Sequence, residues 1–368
     1  MNNKIPFRAD QVGSLLRPVE LKEARVKYAR EEISLDELRD IEDQCIREVV
    51  ATQEQTGLRA VTDGEFRRAW WQFDFLAGLD GVEWIETPGG IAFHGTETKH
   101  EAVGVTGKVK FNGHYMLDHF RFLRGITKAT PKMTIPAPPV LHFRGGRPLI
   151  DKNIYPDLDI FFSDTAEAYR KVVRAFYDAG CRYLQFDDTV WGYLCSEKER
   201  ELSRQRGDDP DALPLIYRDV INHVLEEKPA DMAITTHICR GNFRSTWISE
   251  GGYEPVAEIL LGDLNYDGYF LEYDTDRAGG FEPLRFLPRG HKRVVLGLIT
   301  SKTGELEDKN RILSRIEEAT RFADLDQLCI SPQCGFSSTE EGNILTQEDQ
   351  WNKLGLVIDI AKEVWGEI

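Results

Sequence analysis

Short apolar runs rich in β-branched residues alternate along this chain with longer stretches in which apolar residues recur every three or four positions. That alternation predicts a parallel sheet built from βα units. One helix is expected after Ser34, where "SLDE" forms a capping box with Glu37. Leu38, Ile41, Cys45 and Val49 then keep helical spacing, and Gly57 closes the segment. A second is expected over 164–179, with Ala168, Val172 and Phe176 on one face and Gly180 at its end. The runs between such helices predict strands near 8–14, 58–65, 132–137, 182–188, 232–239, 268–273, 293–300 and 326–334. Eight βα strands close a barrel, so the expectation is an α/β chain forming a (β/α)8 TIM barrel, a single domain over 1–368. The stretch 84–125, with "GVTGKVKFNG", breaks the alternation and reads as a β-hairpin excursion over the barrel mouth.

Composition narrows the function. The chain has 368 residues, 41% of them hydrophobic, enough for a large core. A formal charge of -16, from 62 acidic against 46 basic residues, would repel a phosphate backbone, so nucleic acid is not an expected partner. No apolar run has the length of a membrane span, and the polar start "MNNKIPFRADQ" lacks the build of a signal peptide; a cytoplasmic protein with no membrane partner is expected. Six cysteines are too sparse for a disulfide scaffold here, which favours ligands or core thiols.

In a βα barrel, chemistry gathers at the carboxyl ends of the strands. The polar residues expected there are Gly13 and Ser14, Asp63 and Glu65, Asp187 and Asp188, His237 and Cys239, Glu272, and Cys334. His237 and Cys239 lie two apart on one strand and share a face, so both can bind one ion. With Glu272 and Cys334 they make a mixed N, S and O set that suits Zn2+. Cys45, Cys181, Cys195 and Cys329 read as core thiols. Two thiolates and a carboxylate leave zinc with one net negative charge, which disfavours hydrolysis but keeps a bound sulfur electron-rich. Alkyl transfer to a thiol is the expected reaction.

The segments "VGS" at 12–14, "DGEF" at 63–66, "YLQFDD" at 183–188, "THICRGN" at 236–242, "FLEYD" at 270–274 and "SPQCGF" at 331–336 resemble the C-terminal catalytic barrel of cobalamin-independent methionine synthase over nearly the whole chain. The resemblance implies methyl transfer from methyltetrahydrofolate or a related donor to homocysteine. It places the zinc ligands at His237, Cys239, Glu272 and Cys334. It also puts the homocysteine carboxylate on the backbone of Val12, Gly13 and Ser14 and the amino group on Glu65 and Asp187. Two carboxylates suit an ammonium taken from water.

The sequence departs from the family on the donor side. No histidine stands in "GLITSKTGE" where a proton donor is expected, "DDT" replaces "DEP" at 187–189, and the glutamate expected a few residues later falls near Tyr193. Asp188 and Lys302 are the candidate acids, and His142 or Phe143 the candidate flat face for a pterin. Alternatives are another thiol such as coenzyme M, a methyl-corrinoid donor, or a non-catalytic thiol- or zinc-binding barrel.

Overall fold

A computed structural model describes residues 5–368. The strands are β1 (Ala60–Val61), β2 (Asp80–Glu86), β3 (Ala92–Phe93), β4 (Thr96–Glu97), β5 (Glu101–Lys110), β6 (Thr130–Pro136), β7 (Tyr183–Asp188), β8 (Ala233–Ile238), β9 (Gly268–Glu272), β10 (Arg293–Ile299) and β11 (Leu328–Pro332). Seven of them form one parallel sheet in the order β1-β6-β7-β8-β9-β10-β11. It curls as a TIM-like barrel sheet does, with helices between successive strands.

The eighth stave differs from expectation. Segment 8–14 carries only one ladder bridge, Ala9 to Ile330, flanked by the bonds Asp10 N to Ile330 O (3.0 Å) and Ile330 N to Arg8 O (2.8 Å). The Asp10 carboxylate accepts the N–H groups of Phe7 and Gln11, and Gly13 has φ +146°, so the backbone leaves ladder geometry. On its other side the segment is tied to the β1 end by Thr62 Oγ1 to Gly13 O (2.6 Å) and Leu15 N to Gly64 O (3.0 Å). It therefore bridges β11 and β1 as irregular chain. β1 is also shorter than the expected 58–65, because "DGEF" turns away at once: Glu65 N donates to Asp63 Oδ1, and Gly64 and Glu65 both have positive φ.

The predicted excursion divides in two. Strands β2 and β5 are its antiparallel arms and β3–β4 its tip, whereas Met116–Ile126 is a helix. That helix buries Met116, Leu117, Phe120 and Leu123, a helical spacing. The tip reaches the chain beyond β8: Phe93 packs on Phe243 (ring centroids 5.3 Å) and His94 N donates to Trp247 O (3.2 Å).

Both expected helices form. Leu35–Thr56 has the Ser34–Glu37 capping box and ends on Gly57 in the left-handed conformation. The other runs Leu158–Asp178, starting earlier than expected because Asp157 caps it. Its Phe161, Phe162, Val172 and Phe176 are buried. Among the described residues, no helix is long and apolar enough to cross a membrane.

Candidate active site

A pocket opens where the strands end. It is lined by Val12, Ser14, Glu65, Asp187, His237, Cys239 and Cys334 among others, so these residues from five separate stretches of chain converge. Glu272 ends β9 and is fully buried, off the pocket wall.

The sulfurs of Cys239 and Cys334 lie 3.6 Å apart. That is too long for a disulfide and close to the roughly 3.8 Å separating two thiolates on one tetrahedral ion with Zn–S near 2.3 Å. Ligand atoms of His237, Glu272 and Cys334 all lie within 4.8 Å of one another. Glu272 accepts Arg240 N–H on Oε1 (2.7 Å), while its buried Oε2 has no hydrogen-bond partner among the described residues. An orphaned carboxylate oxygen beside two thiols and an imidazole is what a cation site requires. Asp187 Oδ1 lies 3.3 Å from His237 Nδ1 and orients the ring.

Electrostatics follow this geometry. Burial pushes the Glu272 carboxyl up to about 6, against Lys302, which draws it down. Burial opposes charge on His237, yet the Asp187 hydrogen bond and Cys334 outweigh it and raise its pKa to about 10. Cys334 falls well below an ordinary thiol, through its hydrogen bond with Cys239 and against burial, with His237 and Lys302 adding to the drop.

The opposite wall is built differently. Glu65 Oε1 accepts Thr134 Oγ1–H (2.7 Å) and lies 3.5 Å from Arg68 Nη1; Oε2 is buried without a partner. Burial pushes Glu65 up to about 7, with Arg68 opposing and Asp187 adding to the rise. Among the described residues, the N–H groups of Val12, Gly13 and Ser14 donate to no protein acceptor, although their neighbours Gln11, Leu15 and Leu16 do. Gly335 passes so close that an added Cβ would lie 1.9 Å from Ser14 Oγ. The wall thus offers free donors beside a partly unshared carboxylate, an arrangement suited to a zwitterion.

Two expected acids are not on the pocket wall. Asp187 pairs with His237 in the β7–β8 register and faces the pocket, so Asp188 faces the other way. Asp188 is fully buried, accepts Val190 N–H, and is raised to about 7 by burial. Lys302 lies behind the wall, donating to Gly241 O and Asn242 Oδ1 (both 3.2 Å). His142 offers no open face either: it is buried and its Nδ1 lies 2.7 Å from Tyr217 Oη. Phe143 is buried as well and faces Tyr193, ring centroids 5.9 Å apart.

Residues the sequence reading did not name also line the pocket: Trp70, Trp71, Phe93 and Arg144, with Tyr193. Tyr193 Oη accepts Arg144 Nη2–H (3.1 Å), and burial pushes its pKa up to about 12. The signal for the tryptophans was "RRAWWQF" directly after "DGEF", two large rings in a stretch with neither period. Arg144 and Tyr193 stand in ordinary helical surroundings and gave no such signal.

Residues 7–363 match the family model "Cobalamin-independent synthase, Catalytic domain". The uncharacterized protein YxjH of Bacillus subtilis is 56% identical over 363 residues, 98% of this chain and 96% of that protein. The crystal structure of a putative vitamin-B12 independent methionine synthase from Listeria monocytogenes is 45% identical with a TM-score of 0.80, covering 98% of this chain and 99% of that one. A B12-independent methionine synthase from Shewanella sp. W3-18-1, solved in complex with selenomethionine, shares the fold at 20% identity and a TM-score of 0.72, covering 97% of this chain and 98% of that one.

Proposed function

The chain belongs to the cobalamin-independent synthase family through its catalytic domain, and on that premise we propose that it is a zinc-dependent methyltransferase making methionine from homocysteine. His237, Cys239, Glu272 and Cys334 would hold the metal. The observation that carries the reading is the 3.6 Å sulfur pair beside the unpartnered Glu272 oxygen, on one pocket with the unpartnered Glu65 oxygen. Zinc bound there would let a thiol shed its proton at neutral pH while leaving the sulfur nucleophilic.

The remaining work falls to side chains and backbone of this chain. The amino acid's carboxylate takes the free N–H groups of residues 12–14, and its ammonium takes Glu65 and Asp187. That pair of acids would repel a sulfonate thiol such as coenzyme M, which favours the amino acid. The Shewanella protein's selenomethionine complex is in keeping with an amino-acid site. Trp71 and Phe93 supply flat faces for a donor ring and narrow the mouth against water. A methyl leaving a tertiary amine requires protonation of that nitrogen. Tyr193 is the donor for this role: burial keeps it protonated, and because Arg144 donates to its oxygen, its own O–H is free to point into the pocket.

Metal analysis of Cys239→Ser and Cys334→Ser tests the assignment. Loss of bound zinc together with loss of homocysteine-dependent methyl transfer is expected; full zinc content in both variants would end it. Turnover with methyltetrahydrofolate and with methylcobalamin then identifies the donor.

A further inference from the structure

The N–H groups of residues 12–14 are aimed from behind the pocket wall. In a trans peptide the C=O and N–H of one plane point in opposite directions, so whatever holds the carbonyl also sets the direction of the amide. The three carbonyls that share planes with these N–H groups are each held by a buried side chain from a different part of the sheet. Gln11 O accepts from Lys132 Nζ of β6, Val12 O from Gln185 Nε2 of β7 (2.7 Å), and Gly13 O from Thr62 Oγ1, the residue after β1 (2.6 Å). These bonds satisfy the carbonyls that a regular ladder would have paired, and they turn the three N–H groups away from those side chains.

Gln185 differs from the other two anchors. It is fully buried off the pocket wall, two residues before Asp187 on β7 and therefore on the same face of the sheet. Its amide nitrogen donates both to Val12 O and to Asp187 Oδ1, each at 2.7 Å. Both partners are acceptors, which fixes the nitrogen rather than the oxygen toward them. Gln185 Oε1 is buried with no donor among the described residues, a cost to stability, so it is the pair of N–H donations that suits a glutamine to this place. Asp187 Oδ1 also faces His237 Nδ1 (3.3 Å), which leaves Oδ2 for a guest. The stave lies close against this layer: a Cβ added to Gly13 would sit 2.7 Å from Thr134 Cγ2, and Thr134 pairs with Gln185 in the β6–β7 register.

We propose that Gln185 is the positioning residue that joins the two halves of the amino-acid site: its one amide sets both the Val12–Gly13 peptide that meets the carboxylate and the Asp187 side chain that meets the ammonium. The inference rests on the amino-acid-thiol reading above and adds that both charged ends are recognised through a shared anchor that touches neither. Removing the anchor weakens both ends at once and leaves the sulfur end alone.

Calorimetric titration of the zinc-supplemented full chain with four thiols tests this. The probes are homocysteine, 4-mercaptobutanoate without the ammonium, 3-aminopropane-1-thiol without the carboxylate, and propane-1-thiol without either. Gln185→Met keeps the length of the side chain and removes both donors. It is expected to weaken 4-mercaptobutanoate and 3-aminopropane-1-thiol by roughly tenfold each and homocysteine by more, with propane-1-thiol affinity and zinc content as in the wild type. A residue that only supports the fold would lower all four affinities together. Where Gln185→Met disturbs packing, Gln185→Leu, smaller and equally without donors, carries the same test. A loss confined to one of the two single-charge thiols, unchanged affinity for both, or a parallel fall in all four would overturn the inference and leave the homocysteine reading standing. Wild-type protein that binds homocysteine no more tightly than propane-1-thiol would mean that the amino-acid reading itself has failed, and this inference with it.

Discussion

Glu65 holds one oxygen against Thr134 and leaves the other unpaired in a buried wall, and its carboxyl is pushed up to about 7, chiefly by burial. An ammonium seated there favours the ionised form. Homocysteine bound as proposed would therefore expel a proton from Glu65 below about pH 7, and its affinity would fall as pH drops through that region. Calorimetry in two buffers of different ionisation enthalpy should show proton release near pH 6 beyond the one proton the zinc-bound thiol sheds, and Glu65→Gln should remove that excess while weakening binding by roughly tenfold or more with zinc retained. Asp188 makes the contrasting case. Its native pKa of about 7 stands above the ordinary 3.8, so the unfolded chain ionises first. Stability contributed by the protonated form is complete at low pH and declines as pH climbs from about 4 to about 7. Asp188→Asn, which can still accept the Val190 N–H, should gain in Tm relative to the wild type between pH 5 and pH 8 and leave turnover unchanged. The sequence held the rule that separates these neighbours: alternation along β7 gives one of two adjacent acids to the pocket and the other to the helix side. It did not say which until the β7–β8 register paired Asp187 with His237. The placement of Lys302 was beyond reach in the same way, because it depends on the loops at Gly241 and Asn242, which no local pattern specifies.

The clustering of the four side chains proposed as metal ligands was readable because they sit at strand ends, where period and position together fix direction: His237 and Cys239 stand at the end of β8, and Glu272 closes β9. The helix Leu35–Thr56 was readable for the same reason, since its cap and its stop are both local. Elements whose shape depends on distant partners were not. Met116–Ile126 carries a clear helical spacing but was absorbed into the glycine-rich hairpin before it. The tip β3–β4 shows most plainly what an element contributes here. Phe93 lines the candidate pocket and packs against Phe243, four residues beyond Cys239, so the tip braces the loop that follows His237 and Cys239. Phe93→Ala removes an aromatic contact worth about 0.5–1.5 kcal/mol. A small loss of Tm is expected, with zinc content unchanged and a clear rise in the KM for the methyl donor; an unchanged KM would show that the tip does not cover the donor.

At the scale of the whole molecule, eight strands were expected and the parallel sheet among the described residues has seven, the segment 8–14 filling the eighth place with a single bridge. The segment 8–15 joins β11 to β1 through one bridge and a few side-chain bonds, because Asp10 and Gly13 divert the backbone from the ladder. That diversion is also what leaves three N–H groups without a protein acceptor, so the irregular seam and the wall proposed to take the substrate carboxylate are one segment. The proposed metal would work against this weakness from across the mouth. His237, Cys239, Glu272 and Cys334 belong to the ends of β8, β9 and the chain after β11, and Gly335 lies against Ser14 of the irregular stave. A ligand bound only by the native state at about 100 times its Kd adds about 2.7 kcal/mol. For a chain of 368 residues, with an unfolding entropy of about 2.1 cal/mol/K per residue, that corresponds to about 3–4 °C in Tm. Chelation should therefore lower the Tm of the wild-type protein by about that amount, restored by added zinc, whereas Cys239→Ser should melt at the same temperature with and without chelator. Equal melting of the chelated and zinc-supplemented wild type would mean that these four side chains do not tie the staves together through a metal.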